Sequence, residues 1–155
     1  MSDLRIAVIG AGHLGRIHAK LLGQVDGAEL VAISDPFEAA REQAAEMFSV
    51  PTVADYKELI PNVDAAVIAA PTDLHAGIAS DFLKAGKHVL VEKPITIDRE
   101  DARRLALVAS SRQLTLQVGH VERFNPAFTA LDDLAVDVKY IEATRASSFP
   151  GRCLD

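Results

Sequence analysis

The chain has 155 residues, enough for one ordinary domain with a sizeable core, and its hydrophobic share of 49% and charged share of 25% are those expected of a globular protein. Sixteen basic against twenty-two acidic side chains leave a net charge of -6, and no basic run exceeds Arg103-Arg104, which argues against a nucleic-acid partner. A single Cys153 makes no internal disulfide, no stretch approaches eighteen consecutive apolar residues and nothing resembles a cleavable leader, so the expectation is a cytoplasmic protein with no membrane association.

"LRIAVIG" (4–10) is a short β-branched run, after which Leu14, Ile17, Leu21, Leu22 and Val25 recur at helical spacing; the period changes from strand to helix at the glycines. "ELVAIS" (29–34) predicts a second strand, stopped by Asp35-Pro36 because proline restricts its predecessor and cannot donate to a ladder. Residues 37–48, rich in Ala, Glu and Gln, predict a helix. A short third strand follows near Val50 to Val53, with Pro51 pointing to an edge or irregular position. "DAAVIAA" (64–70) is a nearly continuous apolar run, the kind covered on both faces in a parallel sheet.

Leu74, Ile78 and Phe82 give the next helical stripe, closed by Ala85-Gly86. "KHVLVE" (87–92) predicts a strand that Pro94 ends. Asp98 with Asp101 starts a helix carrying Ala102, Leu105, Ala106 and Ala109, and "LTLQVG" (114–119) is the sixth strand. Strands alternating with helices predict an α/β fold with a doubly wound, mostly parallel Rossmann sheet. Beyond Gly119 the rhythm changes. Pro126 to Leu134 predicts a short helix, with Phe124 and Phe128 expected in a core, and "AVDVKYIEATRAS" (135–147) is an extended run of mixed polarity. That run pairs at the sheet edge or opens a second, α+β domain; the second reading is preferred. It divides the chain into a domain at 1–120 and a crossover helix with the start of an incomplete domain at 121–155.

Gly10, Gly12 and Gly15 follow the first strand directly and open the first helix, the context in which such glycines bind a dinucleotide. Gly10 permits the tight turn, Gly12 lets the backbone approach a pyrophosphate, and Gly15 permits close packing of helix on strand. Free N–H groups at the helix start then bind phosphate, with His13 and Leu14 among them; His13 reads equally as a solvent-facing turn residue. Asp35 ends the second strand, where a carboxylate accepts the hydrogen bonds of an adenosine ribose and repels a 2′-phosphate. NAD is therefore expected over NADP, although Arg41 stands on the next helix.

Ligands of an open parallel sheet lie beyond the carboxyl ends of the strands, and three polar groups fall there: "PTDLH" (71–75), "EKP" (92–94) and "GHVERFNP" (119–126). Thr72 bonds a ribose or, with Asp73, caps the following helix. His75 faces the cofactor or covers the first helical turn. Lys93 is the candidate catalytic residue, its ammonium hydrogen-bonding a substrate oxygen as hydride leaves or its neutral amine removing the proton; the alternative is a surface lysine paired with Glu92. His120 and Arg123 are candidate substrate-binding residues, Arg123 clamping a phosphate or carboxylate or bracing a domain seam. Histidine, cysteine and carboxylate spacings match no zinc, calcium or P-loop pattern, so no metal is expected.

"VIGAGHLGRIHAKLL", "ISDP", "AAPTDLHAGIASDFLKAGKHVLVEKP" and "GHVERFNPAF" resemble the Gfo/Idh/MocA oxidoreductase family, over the whole chain as that family's amino-terminal half. Within the family, "GHVERFNPA" is similar to members acting at the 3-position of UDP-N-acetylglucosamine-type sugars. The resemblance implies NAD(P)-dependent hydride transfer to or from a secondary alcohol or ketone of a sugar, cyclitol or nucleotide sugar. It implies cofactor contacts at Gly10, Gly12, Gly15, Asp35, Thr72, His75, Glu92 and Lys93, catalysis by Lys93, and substrate phosphate contacts at Arg123 and Arg152. It also implies a homo-oligomer formed through the second domain. Family enzymes carry an acid/base histidine in that domain, and none here matches it, so this chain is expected to bind NAD and to turn over substrate poorly. Two other classes remain from the residues alone: a non-catalytic NAD-binding or redox-sensing module, and an S-adenosylmethionine-dependent methyltransferase.

Overall fold

A computed structural model describes residues 3–131, 137–144 and 146. It divides into two compact units, Met1–His120 and Val121–Asp155. No helix among the described residues is long and apolar enough to cross a membrane.

The first unit is built on six parallel strands: β1 (Leu4–Ile9), β2 (Ala28–Ser34), β3 (Thr52–Val53), β4 (Ala65–Ile68), β5 (His88–Val91) and β6 (Leu116–Val118). Their order is β3-β2-β1-β4-β5-β6. Chain order reverses between β1 and β4, so the crevice beyond their carboxyl ends is where a ligand finds room between connections that run to opposite sides. Pro51 precedes the two-residue edge strand β3, where its missing N–H costs no ladder bond.

Alternation along the strands sorts the core into two layers. Ala7, Ile9, Ala66, Ile68, Val89 and Val91 pack on one face with Ile78, Phe82, Leu83 and Leu105 from α3 (Thr72–Lys84) and α4 (Arg99–Ser111). Ile6, Val8, Ala65 and Val67 pack on the other with Ala19 of α1 (His13–Leu22) and Ala44 of α2 (Glu38–Phe48). The start of α4 follows the expected signal, with Asp98 Oδ1 accepting from the Glu100 and Asp101 N–H groups at 2.6 and 3.4 Å.

Of the stripe that marks α1, Leu22 packs against the core while Leu14, Ile17, Leu21 and Val25 stay exposed, because α1 meets the sheet through Gly15 and Ala19, whose small size allows close approach. Two details differ from the sequence reading. Neither Thr72 nor Asp73 caps α3: Pro71 holds the cap position without a side-chain bond, and Thr72 is already helical. Two short 3-10 turns, Tyr56–Glu58 and Ile60–Asn62, occupy a span that showed no helical period.

In the second unit a 3-10 turn at Val121–Phe124 leads into α5 (Pro126–Thr129), started by Asn125 Oδ1 accepting from the Ala127 N–H at 3.0 Å. Phe124 and Phe128, expected in a core, are 76% and 58% exposed. One 3-10 turn and a four-residue helix provide no second layer to cover them. Residues 137–144 form neither helix nor strand, since extended chain becomes a strand only beside a hydrogen-bonding neighbour; the rest of the predicted 135–147 run, Ala146 apart, lies outside the described residues, as does the end of the helix predicted to Leu134.

Candidate functional site

The glycine turn is close-packed where it meets protein and open where it does not. Gly10 adopts φ +101°, and a Cβ there would sit 2.6 Å from the Ala69 carbonyl oxygen. At Gly15 it would lie 1.8 Å from the Gly10 oxygen, so only glycine lets α1 start against its own turn. Gly12, by contrast, faces open space. It is the N-cap of α1 and no side chain caps the helix, which leaves first-turn N–H groups without a side-chain acceptor. His13 and Leu14 are exposed on the same turn.

Asp35 is fixed by the turn beside it. Its Oδ2 accepts from the Ala11 N–H at 2.8 Å and its Oδ1 from the Phe37 N–H at 2.9 Å, with the residue only 8% exposed. Each oxygen keeps a second lone pair, so the carboxylate is oriented without being saturated. Arg41 Nη1 donates to the Asp35 and Pro36 carbonyl oxygens, both at 3.0 Å, which ties its guanidinium to the end of β2.

The other half of the site is the loop after β5. Glu92 is buried, and its Oε1 lies 2.7 Å from His18 Nε2 on α1. Its Oε2 accepts from the Lys93 N–H at 3.3 Å. Gly119, at the end of β6, leaves room for this carboxylate, since a Cβ there would stand 3.0 Å from its carbon and both oxygens. The Lys93-Pro94 peptide is cis. His75, 1% exposed, places Nδ1 2.9 Å from the Pro94 carbonyl oxygen and Nε2 2.9 Å from that of Ala70, so its ring spans the ends of β4 and the lysine loop. Thr96 Oγ1 closes the loop by donating to the Asp98 carbonyl at 2.6 Å. Lys93 itself is exposed and, among the described residues, makes no ion pair; Glu92, its partner in the alternative reading, is engaged by His18.

An uncapped helix start, a preset carboxylate and a lysine loop thus meet at the carboxyl edge of one Rossmann sheet. The family model described as oxidoreductase family, NAD-binding Rossmann fold (Gfo/Idh/MocA) matches residues 4–120. The chain belongs to this family. It is 38% identical over 159 aligned positions to UDP-N-acetylglucosamine 3-dehydrogenase of Acidithiobacillus ferrooxidans, covering 100% of this chain and 49% of the relative. It is 40% identical over 130 positions to inositol 2-dehydrogenase of Rhizobium meliloti, covering 83% and 39%. A solved structure of GenD2 from gentamicin A biosynthesis, in complex with NAD, superposes with a TM-score of 0.83 at 31% identity, covering 88% of this chain and 40% of that one. The chain spans less than half the length of each of these relatives.

Within this family member, the residues singled out from sequence fall into distinct groups. Gly10, Gly12, His13, Leu14 and Gly15 form the turn, with Asp35 bonded to it. Thr72, half-buried, begins α3, and His75 offers no ring nitrogen that is not already facing a carbonyl. His120 is exposed at the end of the first unit, its N–H donating to the Val118 oxygen at 2.7 Å. Arg123, also exposed, lies in the second unit, where it lines an open cavity of about 520 Å³ with Glu122, Phe128, Thr129 and Leu131. Arg152 lies outside the described residues. The residue that sequence reasoning missed is His18. A signal for it existed: three residues after Gly15, it lies on that side of α1, where a histidine beside the sheet needs a polar partner.

Proposed function

We propose that the protein is an NAD-dependent oxidoreductase that moves hydride between the nicotinamide and a secondary alcohol or ketone of a sugar or nucleotide sugar. The observation carrying this reading is the pairing of an uncapped α1 start with an Asp35 carboxylate that the Ala11 N–H holds in place. The turn residues fit a dinucleotide: Gly12 leaves space, the first-turn N–H groups suit a diphosphate, and Asp35 retains lone pairs for two ribose hydroxyls. The same charge disfavours a 2′-phosphate, which selects NAD. The names of the relatives, a UDP-sugar dehydrogenase and an inositol dehydrogenase, support the substrate class. NAD binding is proposed for this chain and substrate turnover for the whole protein. A cytoplasmic location and a homo-oligomer go with this reading. The matched family and relatives lend no support to a methyl-transfer or purely sensory role.

When bound, NAD supplies the hydride acceptor. Lys93 acts on the substrate oxygen: its Nζ hydrogen-bonds that oxygen as hydride leaves the carbon, while the acid/base histidine that the family resemblance implies for the second domain takes the hydroxyl proton and returns it in reduction. His75 and Thr72 shape the floor of the crevice, and Arg123 with Arg152 holds substrate phosphate. Calorimetry of this chain with NAD and NADP tests the cofactor assignment. NAD is expected to bind about tenfold tighter or better, and Asp35→Ala to erase most of that margin, roughly 1.4 kcal/mol for each tenfold. A preference for NADP overturns it.

A further inference from the structure

Lys93 hangs between two fixed points. On one side the Glu92 carboxylate accepts its backbone N–H, and on the other the Pro94 carbonyl faces the buried ring of His75. The first of these points is not anchored in its own loop. The Glu92 and His18 side chains, 8% and 18% exposed, meet at 2.7 Å, and His18 stands on the second turn of the helix whose first turn forms the dinucleotide-binding start. A carboxylate so far withdrawn from water is costly unless donors surround it, and here the donors come from α1 and from the Lys93 backbone. Gly119 shuts the third side. An α-helix moves as a rigid rod over two turns, so a displacement of the α1 start reaches the lysine loop through one short, shielded contact.

We propose that His18 and Glu92 are a positioning pair that couples seating of the dinucleotide at the start of α1 to placement of the Lys93 amine. This rests on the reading of Lys93 as the amine beside the nicotinamide. Neither side chain touches substrate in this role; His18 acts through Glu92, and Glu92 through the Lys93 backbone.

The test is acylation of Lys93 by acetic anhydride, followed peptide by peptide by mass spectrometry, in this chain with and without saturating NAD. NAD is expected to slow labelling of Lys93 about fivefold or more in the native protein, the scale of an ordinary coupling between sites. His18→Leu is expected to keep NAD affinity within about threefold, a difference well under 1 kcal/mol, and to lose most of the protection. His18→Gln, which restores an N–H donor near the Nε2 position, is expected to recover it. Equal protection in native and His18→Leu protein overturns the coupling while leaving Lys93 beside the cofactor. NAD binding without any protection in the native protein overturns the placement of Lys93 instead. Loss of NAD affinity in His18→Leu by more than about tenfold makes His18 a cofactor ligand and also overturns the proposal. Should His18→Leu not fold, as judged by circular dichroism, Glu92→Gln decides: weakened protection supports the pair and unchanged protection overturns it.

Discussion

The two edges of the sheet use polar side chains in opposite ways. Among the described residues the buried polar groups are Ser34, Asp35, His75, Glu92 and Thr96, and every one lies at or just beyond a carboxyl end of a strand. At the amino edge the strongest polar feature is Arg5 with Asp64, at the starts of β1 and β4, and it is exposed: 47% and 37% of the two side chains remain in solvent. A buried polar group costs free energy until hydrogen bonds offset it, whereas an exposed ion pair contributes little either way. The fold therefore concentrates its costly buried polar groups where a ligand is to be met. Its inexpensive ones go where the chain only needs to be held in register. Changes at the carboxyl edge should be felt strongly, and those at the amino edge barely.

The largest effect is expected at Lys93. Lys93→Met keeps the length of the side chain and removes the amine that meets the substrate oxygen. In the whole protein turnover should fall by roughly 10²- to 10⁴-fold, while NAD affinity, measured on this chain, stays within about threefold. Initial rates against calorimetry separate the two. Turnover preserved in Lys93→Met would sink the assignment of Lys93 as the residue that acts on the substrate oxygen.

His75 comes next. A carbonyl oxygen only accepts, so at least one of the Ala70 and Pro94 oxygens takes a ring N–H. His75→Leu fills similar space and leaves that oxygen facing carbon, a loss on the order of 1–3 kcal/mol for a group left without its donor and water. Urea unfolding of this chain reads that loss directly. A variant as stable as the native chain would show that the ring is packing alone and that the contrast between the edges does not extend to it.

How far this contrast was readable beforehand differs by residue. Gly10, Gly15 and Asp35 declare themselves because backbone geometry and a strand end leave few residues that fit: a Cβ at Gly15 has no room at all. The strand run 64–70 also announces itself, since burial on both faces demands a nearly unbroken apolar stretch. His18 gave only its place on the Gly15 side of α1, because a partner 74 positions away leaves no local spacing that points to Glu92. The stripe on α1 marked the helix without marking the face that packs. Apolar spacing reports which residues share a face, but Gly15 and Ala19 choose the face that meets the sheet, by size. Phe124 and Phe128 failed in the same way, since hydrophobicity alone does not supply the neighbours that burial needs.

The smallest effect is expected at the amino edge, where the sign can be worked out. Arg5 donates to Asp64 from its backbone N–H, Nε and Nη2 at 3.0, 3.1 and 2.9 Å. The guanidinium hydrogen bond, with the backbone bond behind it, holds the Asp64 carboxyl down to about 2, against 3.8 for the free group. A carboxyl depressed by folding adds stability above its unfolded value and loses it as pH falls through the folded one, so the contribution of Asp64 fades between about pH 4 and pH 2. Asp64→Asn removes that dependence. At pH 7 solvent screening keeps the pair weak, so the melting temperature of the variant should lie close to that of the native chain. Below pH 4 the native chain alone should lose this contribution, and the two melting curves should converge as its carboxyl is protonated. A large loss at neutral pH, of the size expected for His75→Leu, would mean that the amino edge bears as much polar load as the carboxyl edge, and burial would no longer distinguish the two.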